Sequence, residues 1–178
     1  MVVEGKDIDV QVDLLSGEYQ GTGKGHRHQK IQEGLARKVR GCGLVFESPV
    51  VLTVNGELPG GARDSVKVQV ASIVPFIVMK GMALDERLKE KDAWDIYYCI
   101  KNYPGGVDAL VEAFRPHVDH GLVREGLQKV AKHFASEKHV GPKFVADFEE
   151  IIDLGEREIT ERDVYEQVSY LLEKLGIK

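Results

Sequence analysis

Residues 66–101 read VKVQVASIVPFIVMKGMALDERLKEKDAWDIYYCIK, and how this stretch divides decides the fold. Val66, Val68 and Val70 alternate with Lys67 and Gln69, the period of a strand with one apolar face. Pro75 stands where the first turn of a helix tolerates a residue without an N–H. From Phe76 to Lys101 the pattern reads as one long helix, stopped by Asn102-Tyr103-Pro104-Gly105-Gly106. On a helical wheel Lys80, Arg87 and Lys91 fall within roughly 40° of one another, and Asp95 lies about 40° beyond Lys91. A basic stripe is most simply a solvated face. Here Phe76, Leu84, Trp94 and Tyr98 share the sector, and Met79, Met82, Leu88, Ile96 and Ile100 occupy other bearings, so the helix should be buried on several sides. Partly buried cations need partners, because desolvating an unpaired charge costs several kcal/mol. Asp92 and Asp95 can serve some of them. An incoming polyphosphate can serve the rest, with Arg87 as a bidentate donor and Lys80 as a point charge.

Upstream of this stretch, Ile8, Val10, Val12 and Leu14 alternate against Asp7, Asp9, Gln11 and Asp13, which predicts a strand over Ile8–Leu15 with one acidic face. A glycine-rich, basic loop runs from Gly17 to Gly25, and Gln29–Val39 reads as a helix closed by Gly41 and Gly43. Val50–Val54 reads as a second strand, Asn55-Gly56 as its turn and Leu58-Pro59-Gly60-Gly61 as loop. Downstream, helices are expected at Val107–Phe114, Val123–Phe134, Val145–Ile152 and Glu161–Leu175, with breaks at Pro116, Gly121, Gly141-Pro142 and Gly155. The sequence therefore predicts an α+β protein: a small mixed sheet with its connecting helix over residues 1–101, then a helical lobe over 102–178. The three strands are expected in one sheet with the long helix packed on it.

The 43% hydrophobic and 30% charged residues suit a folded chain, and the net charge of −5 opposes a broad, sequence-independent grip on nucleic acid. Two cysteines, Cys42 and Cys99, in unlike surroundings exclude a disulfide framework and fit a reducing cytoplasm. No apolar run approaches the roughly 18 to 20 residues of a membrane span, and no leader pattern opens the chain, so a cytoplasmic protein is expected.

Val68-Gln69-Val70-Ala71-Ser72, Pro75-Phe76 and the run Lys80, six residues, Arg87, three residues, Lys91-Asp92, two residues, Asp95, followed by Tyr97-Tyr98, resemble the later motifs of the AbiEii/AbiGii toxin family of nucleotidyltransferases. The resemblance runs from the first strand through the helical lobe. It implies the nucleotidyltransferase fold, Mg²⁺, and transfer of a nucleotide from a nucleoside triphosphate to an acceptor. That acceptor is an RNA such as a tRNA 3′ end, and the organismal role is that of a toxin paired with an antitoxin protein. Lys80 resembles the family's phosphate-contacting lysine, and Asp92 and Asp95 the acids closing its last motif. Arg87 and Lys91, in the same motif, are expected to orient phosphate or to pair with those acids.

Such a transfer is an in-line attack at the α-phosphorus, usually served by two cations held on carboxylates. By the resemblance, two carboxylates form an Asp-x-Asp pair after a Gly-Ser turn, and a third lies on the neighbouring strand. Asp13 resembles the third. Asp7 and Asp9 are the alternative first pair, with Asp9 and Asp13 about 13 Å apart along a strand, and surface acids on an edge strand are the plain alternative. Asp9 is the second acid considered for metal. The expected Gly-Ser and Asp-x-Asp segment is lacking ahead of this strand, so the chain is expected to turn over poorly, and a non-catalytic nucleotide- or partner-binding module is the alternative. A sheet without that strand should expose an edge or groove beside Ile8–Leu15, so dimerisation is expected.

Gly21-Thr22-Gly23-Lys24-Gly25 lacks the glycine spacing and the following Ser or Thr of a P-loop. His26 and His28 read as polar loop residues, and Lys24, Arg27 and Arg37 as a weaker set of nucleotide or RNA contacts.

Overall fold

The computed structural model describes residues 2–3, 6–7, 12–17, 28–31, 34–58 and 60–178. Among these the architecture is α+β, with six α-helices and seven short strands. The strands do not form one sheet. Strands β1 (Val2–Val3) and β2 (Lys6–Asp7) pair antiparallel; β3 (Leu15–Gly17), β4 (His28–Ile31) and β5 (Gly34–Val39) form a ladder of order β3-β5-β4; β6 (Val50–Glu57) and β7 (Arg63–Val70) form a separate ribbon. Of the expected strand over Ile8–Leu15, residues 8–11 lie outside the described residues, and β3 begins only at Leu15.

The helix expected over Gln29–Val39 is instead an antiparallel hairpin in which Ile31 pairs with Gly34 and His28 with Arg37. Ile31, Leu35 and Val39 have helical spacing, but they are also four apart and so would share one face of a strand, and Gly34 weakens a helix interior. Parallel pairing of β3 with β5 and burial of Ala36 then fix β5 in the ladder. Gly41, with φ of +82°, lets the chain leave β5 for a 3₁₀ turn at Cys42–Phe46, and it lies against Val78, Met79 and Met82.

The ribbon continues through Asn55-Gly56, which was expected to turn; Gly56 pairs with Asp64 and Glu57 with Arg63. The reversal comes at Leu58–Ala62, where Gly61 adopts a φ of +80° and Leu58 exchanges backbone bonds with Ala62 and Gly61.

The long helix is broken. Helix α1 spans Ile73–Arg87, Leu88 takes a left-handed conformation at φ 48° and ψ 54°, and α2 spans Glu90–Lys101. Neither glycine nor proline announces the break, so local signals could not reveal it. Helices α3 (Gly106–Phe114), α4 (Gly121–His133), α5 (Val140–Phe148) and α6 (Leu154–Lys174) complete the body. Gly141-Pro142 does not end a helix: both fall in the first turn of α5, where a missing N–H costs no intrahelical bond. Helix α6 starts earlier than expected because Asp153 caps it, accepting from the Glu156 amide at 2.9 Å.

One apolar core joins all six helices. Ile77, Val78 and Leu84 of α1 and Ile96 and Ile100 of α2 meet Leu110, Phe114, Leu127, Phe134, Val145, Val164 and Leu171, all at most 1% exposed. The tightest approach is α1 on α4, where a Cβ on Gly81 would stand 2.5 Å from the Gly126 carbonyl oxygen. Two glycines there let the backbones touch.

Candidate active site

The bend at Leu88 creates the site. On a straight helix Lys80 and Asp92 would sit about 18 Å apart along the axis. With α2 folded back on α1, Lys80 Nζ donates to Asp92 Oδ1 at 3.0 Å and reaches Asp95 Oδ2 at 2.5 Å. Arg87 closes on Asp92 as a fork, Nε to Oδ2 at 2.6 Å and Nη2 to Oδ1 at 2.7 Å. Lys91 Nζ donates to Asp95 Oδ1 at 2.8 Å. The wheel placed these cations on one face of one helix; the fold brings the same residues together from two.

Burial grades the cluster. The Asp92 side chain is 1% exposed, Arg87 38% and Lys91 61%. Burial would raise the Asp92 carboxyl, but donors from Arg87 and Lys80 outweigh it and hold Asp92 below the ordinary carboxylate range. Burial likewise would lower Lys80, and bonds to Asp95 and Asp92 reverse the sign and raise it. The bond to Asp92 raises Arg87. Three cations against two carboxylates leave the cluster at a net +1, and Lys91 and Arg87 are its more exposed cations.

The β3-β5-β4 ladder reaches the C-terminal end of α1 through Arg37. Leu15 of β3 pairs with Arg37, the Arg37 amide donates to the Leu14 carbonyl at 2.8 Å, and the Arg37 guanidinium meets Glu86 at 3.3 Å, one residue before Arg87. Asp13 is exposed. Asp9, Lys24 and Arg27 lie outside the described residues, while Asp7 pairs its backbone with Val2 in β1–β2.

A Mg²⁺ ion takes carboxylate and phosphate oxygens in a tight octahedron. Asp92 and Asp95 do not fit that task, because both oxygens of each already accept from Lys80, Arg87 or Lys91. Among the described residues no group of three or more His, Cys, Asp or Glu is arranged to hold a metal.

Three features beside the cluster escaped the sequence reading. Trp94 stacks on Tyr98 at 4.8 Å between ring centroids and packs against Phe148 at 5.0 Å, with Lys91 Nζ 5.7 Å from the Trp94 ring. Tyr97 donates to Asp163 and accepts from Lys101 at 2.6 Å; burial, then the bond to Asp163, push its hydroxyl up to about 12. Asp85 gathers Lys132 at 2.6 Å, His133 at 2.9 Å and Lys129 at 3.2 Å. The pairs Trp94–Tyr98 and Tyr97–Lys101 are four residues apart and within reach of helical spacing. Phe148, Asp163 and the partners of Asp85 lie 40 or more residues away, where that spacing carries no signal. Burial raises the thiols of Cys42 and Cys99, which suits inert side chains.

Comparison with protein-family models, curated proteins and solved structures returns no match. No helix among the described residues is long and apolar enough to cross a membrane.

Proposed function

We infer that the chain is a nucleotidyltransferase-like protein of the AbiEii/AbiGii toxin type that binds a nucleoside triphosphate at the α1–α2 elbow. One observation carries this reading: Lys80, Arg87, Lys91, Asp92 and Asp95, which share the spacing of that family's last motif, converge into one cluster at the α1–α2 elbow. Asp92 and Asp95 pre-orient the cations, which removes much of the ordering cost of gripping a polyanion. Lys91 and the outer edge of Arg87 then meet phosphate oxygens, and Lys80 supplies positive charge from behind. Asp13 would hold Mg²⁺ that comes with the triphosphate. Mg²⁺ held there would supply positive charge for the pyrophosphate that leaves. The acceptor is an RNA end such as that of tRNA, an antitoxin protein is the cellular partner, and the setting is the cytoplasm.

A second reading, a non-catalytic module that binds nucleotide or a partner, draws on the same cluster. Its net charge is only +1, and its carboxylates are committed to cations, not to metal.

The test begins with calorimetry using Mg²⁺ and each nucleoside triphosphate. Lys91→Ala and Arg87→Lys should each weaken binding about five- to tenfold, with the helical spectrum unchanged. Labelled triphosphate with bulk tRNA should show transfer that Asp13→Ala abolishes. Binding without any transfer selects the second reading. No binding to wild type, with Lys91→Ala silent, returns the cluster to a purely structural role.

A further inference from the structure

We propose that the apolar face of the β6–β7 ribbon is a homodimer interface, on which a second copy of this chain stacks its own ribbon face to face. The register separates the two faces cleanly. Pairs Val50↔Val70, Leu52↔Val68 and Val54↔Val66 share one face, and Val51↔Gln69, Thr53↔Lys67, Asn55↔Ser65 and Glu57↔Arg63 share the other. The six aliphatic side chains of the first face are between 36% and 52% exposed. None belongs to the core that joins the helices. A two-stranded ribbon is marginal in water unless a third strand, a helix or another sheet covers its apolar side, yet both strands here run eight residues with an unbroken ladder.

The chemistry of the face selects its occupant. It presents only Val and Leu across three consecutive cross-strand pairs, with Asp64 at the turn end as its only charge. The chain carries a net −5, so two copies repel in general, but this face is where they can meet with no charge opposed to charge. The face is also nearly symmetric. Turned over about an axis lying between two such ribbons, aliphatic pairs fall on aliphatic pairs at the roughly 10 Å spacing of stacked sheets. The six residues present on the order of 400 Å² of apolar surface, about half of what each partner of a standard interface contributes, so the dimer is of the weak class that forms as concentration rises. Edge-to-edge pairing along β6 would leave the aliphatic face in water, whereas stacking covers it. The proposal does not depend on nucleotide binding.

Sedimentation equilibrium on the full chain, from low micromolar concentration upward, tests this. Wild type should dimerise. Leu52→Lys and Val68→Lys, which bury an unpaired charge in the interface, should each weaken the dimer by roughly a hundredfold or more. Val68→Thr should weaken it by about five- to tenfold and keeps the test sound if the lysine variants misfold. Thr53→Lys, on the opposite face, should leave it unchanged. Hydrogen exchange should slow at the Val50–Val54 amides as concentration rises. A wild-type monomer at the highest concentration overturns the proposal, whether its ribbon amides exchange freely or are shielded by another part of the chain. So does a dimer that survives both lysine variants, or one that Thr53→Lys disrupts equally.

Discussion

The helical body and the β6–β7 ribbon solve opposite problems with similar residues. In the body, Ile77, Leu84, Ile96 and Ile100 are fully enclosed, and the few polar groups taken inside, such as Asp92, are fully paired. In the ribbon, Val50, Leu52, Val54 and Val68 have the same chemistry and a regular ladder, yet all stay exposed. Apolar content therefore does not decide burial; what matters is whether the chain folds a second apolar surface back over the first. Helices do this through bends such as Leu88. The ribbon, which reverses at Leu58–Ala62 and feeds straight into α1, has no such cover within its own hairpin.

Substitutions should separate the regions sharply. Asp92→Ala leaves Lys80 and Arg87 without their shared acceptor beside the core, and should cost about 3–5 kcal/mol by denaturant unfolding. A smaller loss would mean that water reaches the cluster freely. Gly126→Ala brings a Cβ to 2.7 Å from Val78 Cγ1 and 2.9 Å from its carbonyl oxygen, so about 2–3 kcal/mol should be lost as α1 and α4 separate. In the ribbon, Val66→Thr below the dimerising concentration should move stability by less than about 0.5 kcal/mol. A large effect there would show that the face is covered within one chain. Leu88→Gly, which relieves a left-handed leucine, should be the mildest, stabilising by about 0.5 kcal/mol or less.

Acid and alkali probe the body alone. Asp92, Asp85, Asp163 and Glu125 all have carboxyls held low by neighbouring cations or hydrogen bonds. Each contributes stability that is fully present above the unfolded-state value near pH 4 and lost as pH falls through the lower folded value, so the midpoint of urea unfolding should drop steadily below about pH 4. Tyr97 has the opposite sign: its raised folded value means stability present below the unfolded value near 10 and lost toward about 12. An ultraviolet titration should show one of the six tyrosines ionising late, and Asp163→Asn should advance it.

What was legible in the sequence follows the range of the forces involved. The cluster's members could be named because family-like spacing and charge type are written along one segment. Their pairing could not, because it depends on a left-handed Leu88 that no glycine marks, and the benefit of that turn comes from contacts twelve residues apart. The ribbon strands were recognisable from alternation, but Asn55-Gly56 lost the turn to the richer Leu58–Gly61 segment. For Gln29–Val39, periods of two and near four coincided, and pairing with Leu15–Gly17 settled the matter. The start of α6 is different. Asp153 with Glu156 three residues on is a cap signal that was present and passed over.

The glycine contact between α1 and α4 also sets the tolerances of the cluster. Gly81 rests on Gly126 with no side chain between them, so α1 cannot slide along α4 by even one 1.5 Å residue rise without driving Met82 or Lys80 into the opposing backbone. Helix α1 is thus the datum from which the site is gauged. The Lys80 backbone, next to the point of contact, is fixed with α1, while Lys91, on the far arm of the elbow and mostly in solvent, is held through Asp95.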